Sequence, residues 1–183
     1  MEDVWWIMQA QLFFISQAFN VQVHAFVLMN NHFHLLISTP NSNLAEAMQW
    51  FMRETSREIN RLSKRVNQVW GGRYFRSMIN SHHYYLHAYK YLYQNPVQAG
   101  LCSDVMSYPY QTLQTLLGET WSLVPIVDNT PFDMGIDSCL KWLNKAPKEG
   151  HWDQVRCALG KSTFKLGRER SNNKPSDLEF NML

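Results

Sequence analysis

The chain has 183 residues, 45% hydrophobic and 14% aromatic, with 17 Lys plus Arg set against 15 Asp plus Glu and a formal net charge of +2. So many large apolar side chains offset the entropy of ordering, which excludes disorder over most of the length, and the length suffices for one domain with an appendage. Charged residues make up only 17% of the chain, below the ~25% of an average domain, so a polycationic coat is excluded and any nucleic-acid partner must be held by a local patch.

In chain order, Val4, Met8, Leu12, Ile15 and Phe19 recur every three or four residues and predict an amphipathic helix closed by Asn20. Glu2, Asp3, Gln9, Gln11, Ser16 and Gln17 interrupt this apolar start, which therefore reads as neither a signal peptide nor a membrane span. Residues 21–28 and 32–38 alternate and are rich in β-branched and aromatic types, predicting two strands. Met29, Asn30 and Asn31 make the tight turn between them, because asparagine tolerates positive φ.

Pro40 stops the second strand, and Ser42 or Asn43 caps a helix that Leu44, Met48, Phe51, Met52, Ile59 and Leu62 extend to about Lys64. Its other face carries Arg53, Arg57 and Arg61 at four-residue spacing. After Gly71 and Gly72 the run RYFRSMIN predicts a third strand, followed by a helix over 81–94 that ends before Pro96. A short helix within 108–117, an acidic, proline-punctuated linker at 119–132 and helices near 134–145 and 151–159 follow. The last twenty residues, rich in Ser, Asn, Lys and Arg, read as a frayed end. The order helix, strand, strand, helix, strand, helix suggests an α+β fold, an antiparallel sheet covered by helices.

The small net charge hides segregation. Residues 53–76 hold seven basic and two acidic side chains, 104–137 hold five acidic and no basic ones, and 156–174 hold six basic and one acidic. Two segments of +5 can thus contact phosphate. Cys102, Cys139 and Cys157 stand far apart in odd number, which argues against a disulfide framework and for a reducing cytoplasm.

His32 and His34 are two apart on a strand, so both imidazoles share one face while Phe33 turns to the core. Two neutral imidazoles so spaced can share a divalent ion, although strand histidines with no ligand role are the plainer reading of the triplet by itself. Tyr91 and Asn95 share a helical face. Asn95 offers a hard oxygen, and a tyrosine beside a metal that polarises phosphate can become a nucleophile. Tyr84, Tyr85, Tyr89, Tyr91 and Tyr93 crowd the same helix, however, and periodicity does not choose among them. His82, His83 and His87 read as solvated or DNA-facing in preference to a second metal site, while Cys139, His151 and Cys157 lack zinc spacing and read as packing.

The blocks VHAFVLMNNHFHLLISTP, WGGRYFRSMI, YKYLYQNPVQAGL and SYPYQTLQTLLG, over about residues 20–118, resemble in order and spacing those of the REP-associated tyrosine transposases. These belong with the single-tyrosine transposases of small insertion sequences, HUH nucleases named for the His-hydrophobic-His triplet. The resemblance implies a catalytic domain over 1–118 with a ferredoxin-like antiparallel sheet, and a helical extension with a basic tail over 119–183. It implies that His32, His34 and Asn95 hold Mg²⁺ or Mn²⁺ and that Tyr91 attacks a phosphodiester of hairpin-bearing single-stranded DNA, leaving a 5′-phosphotyrosine and a 3′-hydroxyl. DNA contact then falls to Arg73, Tyr74 and Arg76, which mix phosphate and stacking groups, and to a stripe of Arg53, Arg57, Arg61 and Lys64. An ordinary solvated helix face is the alternative for that stripe. The 156–174 segment is similar to an extension that helps grip the hairpin.

Relatives carry proline where Asn30 stands, and they begin with an extra strand before the first helix. The resemblance therefore implies a shortened chain lacking the central strand of the sheet, the neighbours of which must pair otherwise. Three functions stay open on the sequence: an active transposase and single-strand endonuclease of a mobile element, a catalytically inactive DNA-binding remnant, and a metal-dependent hydrolase that uses water. Both homodimeric and monomeric action have precedent in the resemblance.

Overall fold

The computed structural model describes residues 1–127, 135–168 and 173–183. Among the described residues its elements are α1 (Glu2–Ala18), β1 (Gln22–Leu28), β2 (Phe33–Ser38), α2 (Leu44–Ser63), α3 (His82–Gln98), α4 (Leu113–Leu116), α5 (Ile136–Asn144), α6 (His151–Leu159) and a 3₁₀ turn at Asp177–Glu179. The fold is α+β, with a two-stranded antiparallel sheet packed against helices. Two compact units divide the chain: Met1–Tyr74 with the described residues from Pro109 to 127, and Phe75–Tyr108 with those from 135 onward. Residues 128–132 of the linker expected at 119–132, the expected helix start at 134, and residues 169–172 of the basic segment 156–174 fall outside the described residues.

In the first unit, α1 buries Met8, Leu12 and Ile15 and ends where Phe19 donates back to Ile15 (3.1 Å) and Asn20 takes φ 55°, the left-handed exit that asparagine accepts. The β1–β2 register pairs Leu28 with Phe33, Phe26 with Leu35 and Val23 with Ile37, with an irregularity between Val23 and Ala25. That bulge changes the phase of the alternation, so Val23 and Phe26, three apart, both join the core shared with α1 and α2. Phe33, Leu35 and Ile37 pack on the same core. Phe33 meets Phe26, Phe51 and Trp70 at 6.3, 5.5 and 5.2 Å, and Trp70 is held by its indole N–H to Thr55 (3.1 Å). The histidine strand is thereby pinned from behind by aromatic rings.

The outer edge of β1 is occupied by residues that arrive later in the chain. Thr112 donates to the Phe26 carbonyl (3.0 Å), Leu28 to that of Tyr110 (2.9 Å) and Val127 to that of Val23 (3.0 Å). Met29 N–H closes the hairpin on His32 O at 2.8 Å. Neither Asn30 nor Asn31 has positive φ, so the conformational reason for asparagine there does not hold.

The expected third strand at 73–80 does not form. Its backbone makes one rung, Met78 with Thr163, through Met78 N–H to Ser162 (2.9 Å) and Phe164 N–H to Met78 (2.8 Å). Tyr74 closes the first unit and Phe75 opens the second, so this segment is the crossing between units and has no ladder to join. Similarly, α3 does not stop before Pro96. Ser81 caps its start by accepting from Tyr84 N–H (3.1 Å), and the helix runs to Gln98. Proline removes only the bond to Leu92, while Ala99 and Leu101 still serve the Asn95 and Pro96 carbonyls at 2.9 Å each.

In the second unit Tyr91, Val155, Ala158, Phe164, Leu166, Leu178 and Leu183 form one buried cluster. The described C-terminal residues, 164–168 and 173–183, are therefore not a frayed end: leucines at 166, 178 and 183 are buried in the cluster that holds residues of α3 and α6. Among the described residues, no helix is long and apolar enough to cross a membrane.

Candidate functional site

His32 and His34 lie in the first unit, at the hairpin end and on β2, and alternation sends them to the sheet face opposite Phe33. Their Nε2 atoms are 3.1 Å apart with the rings perpendicular. His32 Nδ1 lies 2.6 Å from Asn31 Oδ1. Partial desolvation lowers the His32 pKa, which favours the neutral form, the one able to ligate metal. The pair fits a divalent ion: one placed ~2.1 Å from both nitrogens would see them roughly 95° apart, a normal angle between adjacent ligands. No group of three or more His, Cys, Asp or Glu able to hold a metal occurs among the described residues.

Tyr91 and Asn95 lie on α3 in the second unit. Asn95 stands within the last turn of α3, not at its end, and its side-chain N–H donates to the Tyr91 carbonyl at 2.7 Å. The Tyr91 ring is 7% exposed and stacks on Trp152 of α6 at 4.2 Å and 25°. Burial raises its pKa, while Arg156 and the Asn95 side chain pull it down. The other shifted tyrosines of α3 lack such help. Tyr84 donates to both oxygens of Glu179 (3.0 and 2.7 Å) and is pushed up to about 12 by burial and that carboxylate. Tyr89 is raised by burial and by its neighbours Tyr93 and Tyr85. Of Tyr84, Tyr89 and Tyr91, all raised, only Tyr91 has neighbours that pull its pKa down.

The basic residues divide. Arg53, Arg57 and Arg61 are exposed on α2, but each meets a carboxylate: Arg53 and Arg57 reach Glu54 at 2.8 and 3.0 Å, and Arg61 reaches Glu58 at 2.8 Å. Arg53 also lies over the Trp50 ring at 4.9 Å. Arg73 and Arg76 are exposed, Tyr74 packs on the first unit's core, and Phe75 is 66% exposed.

The His82, His83 and His87 cluster splits as well. Only His82 is exposed, whereas His83 and His87 turn inward with Nε2 atoms 3.0 Å apart, at 2.6 and 2.9 Å from the Leu178 carbonyl. Leu183 N–H donates to His87 Nδ1 (3.2 Å), which requires the proton on Nε2 and leaves that atom a donor to Leu178, not a metal ligand. Burial holds its pKa down at about 4. Cys139 is buried and its thiol is pushed up to about 11 by burial; none of the three cysteines is in a disulfide.

Two neighbours of the site escape a reading of the sequence. Asn31 is legible there only as a turn residue, although its place directly before His32 is a signal. Trp152 lies 61 positions after Tyr91, and nothing local announces the contact.

A family model described as "Transposase IS200 like" matches residues 6–95, a span that holds His32, His34, Tyr91 and Asn95. No curated protein and no solved structure gives a match.

Proposed function

We propose that the chain, whose residues 6–95 match the family model described as "Transposase IS200 like", is a single-tyrosine transposase and endonuclease of that kind, cutting and rejoining single-stranded, hairpin-bearing DNA in the cytoplasm. The observation that carries this reading is the convergence of His32 and His34 Nε2 at 3.1 Å inside the matched segment. His32, His34 and Asn95 would hold Mg²⁺ or Mn²⁺, and stabilising the charge that builds on the phosphate oxygens is the chemistry such an ion supplies when bound.

The Tyr91 oxygen attacks phosphorus as its proton leaves. The bond from phosphorus to the 3′-oxygen breaks, that oxygen takes up a proton as a 3′-hydroxyl, and the 5′-phosphate remains on tyrosine. The phosphodiester energy is conserved in this linkage, so a 3′-hydroxyl can reverse the step without ATP. Arg156 and the Asn95 amide favour the phenolate that burial disfavours. Exposed Arg73, Arg76 and Phe75, with Tyr74 beside them, offer phosphate contacts and a stacking surface, and the α2 arginines would extend it.

The test is incubation with hairpin-bearing oligonucleotides and Mn²⁺. A denaturation-resistant protein–DNA adduct is expected for the wild-type chain and is expected to vanish in Tyr91→Phe; an adduct that persists in this variant removes Tyr91 from the role. A second reading, a DNA-binding protein without catalysis, is favoured by one observation, the Tyr91 ring at 7% exposure beneath Trp152. It expects salt-sensitive hairpin binding with no adduct at any metal concentration.

A further inference from the structure

We propose that Asn31 is a positioning residue for His32, fixing the tautomer in which Nε2 faces His34 without a proton of its own. The proposal rests on the reading of the histidine pair as a metal site, and it starts from the 2.6 Å separation of His32 Nδ1 and Asn31 Oδ1. An amide oxygen only accepts, so Nδ1 must carry the proton. A neutral imidazole has one proton to place, so Nε2 is bare. A free histidine side chain prefers the opposite tautomer, with the proton on Nε2, and the ligating form therefore has to be imposed.

The hairpin supplies the means. Met29 N–H to His32 O (2.8 Å) closes the turn and sets the Asn31 side chain beside the first histidine. Asparagine is not needed at 31 for its backbone, because Asn31 does not have positive φ, so its side-chain oxygen is what a replacement would lose. The two Nε2 atoms at 3.1 Å are too close for two bare lone pairs to coexist without a proton or a cation between them. A second partner on the far nitrogen is the general device by which proteins orient a ligating imidazole and raise its basicity.

The test uses the ¹⁵N-labelled 183-residue chain without metal at pH 8. Long-range ¹H–¹⁵N correlation is expected to show the His32 proton on Nδ1. In Asn31→Ala the proton should move toward Nε2 and Mn²⁺ affinity, measured by calorimetry, should fall about 10- to 100-fold. Asn31→Asp keeps an acceptor and should retain both tautomer and binding. A wild-type His32 protonated on Nε2, or an Asn31→Ala variant with unchanged tautomer and affinity, overturns the role of Asn31. Absence of Mn²⁺ binding by the wild-type chain overturns the underlying metal reading instead, whatever the tautomer.

Discussion

The Tyr91 ring stacks on Trp152 and belongs to the buried cluster that holds Val155, Ala158 and Phe164, so its mutants carry two effects that have to be kept apart. Tyr91→Phe removes a hydroxyl and keeps the ring, and stability should change by less than about 1 kcal/mol. Tyr91→Ala empties a core position and should cost about 3–5 kcal/mol. Denaturant unfolding of the two variants checks this difference and makes phenylalanine the proper probe of chemistry. Trp152→Ala is expected to uncover the ring, read as faster nitration of Tyr91 by tetranitromethane in a mapped peptide; an unchanged rate would show that another group shields it. The His-Phe-His triplet and the Tyr91–Asn95 spacing are legible in the sequence because both depend on short-range periodicity. The cover over Tyr91 is not, because it comes from α6, beyond the reach of any local pattern.

Helices and strands can be read from the sequence wherever their signals are internal to the segment. α1, the β1–β2 hairpin and α2 follow from the spacing of their apolar residues, and the core direction of Phe33 follows from alternation. The failures lie where an element depends on something outside itself. RYFRSMIN has strand composition, but a strand exists only through its neighbours, and these residues cross between units. On α2 the arginine spacing is visible, yet its meaning turns on Glu54 and Glu58, which leave the stripe with little net charge. If the stripe follows a DNA backbone, Glu54→Gln with Glu58→Gln should tighten single-strand binding. It should also steepen the dependence of log affinity on log salt by ~0.7 for each additional phosphate neutralised. A filter-binding salt series decides it, and an unchanged slope would make the stripe a solvated helix face.

Across the whole molecule, acid sensitivity should centre on α3 and the C-terminal segment packed on it. His87 is buried and its pKa falls from 6.5 to about 4. Between those values the unfolded chain binds a proton that the folded chain does not. The stabilisation is therefore complete above pH 6.5 and lost as pH drops toward 4, on the order of 3 kcal/mol in all. Urea midpoints at pH 7 and 4.5 should show this drop, and His87→Gln should flatten it. The +2 total charge foretells none of this, since the sensitive group is neutral when the protein is folded.

The connectivity of the first unit carries a consequence for how the chain is made. β1 pairs with β2 across a short turn, but its other edge is satisfied by residues from 110 to 127, which leave the ribosome only after the whole of α3. The hydrogen bond between Phe26 and Thr112 spans 86 positions, a loop that costs entropy before it returns any contact. During synthesis the hairpin bearing His32 and His34 therefore waits with the outer edge of β1 open until residues 110–127 have been made.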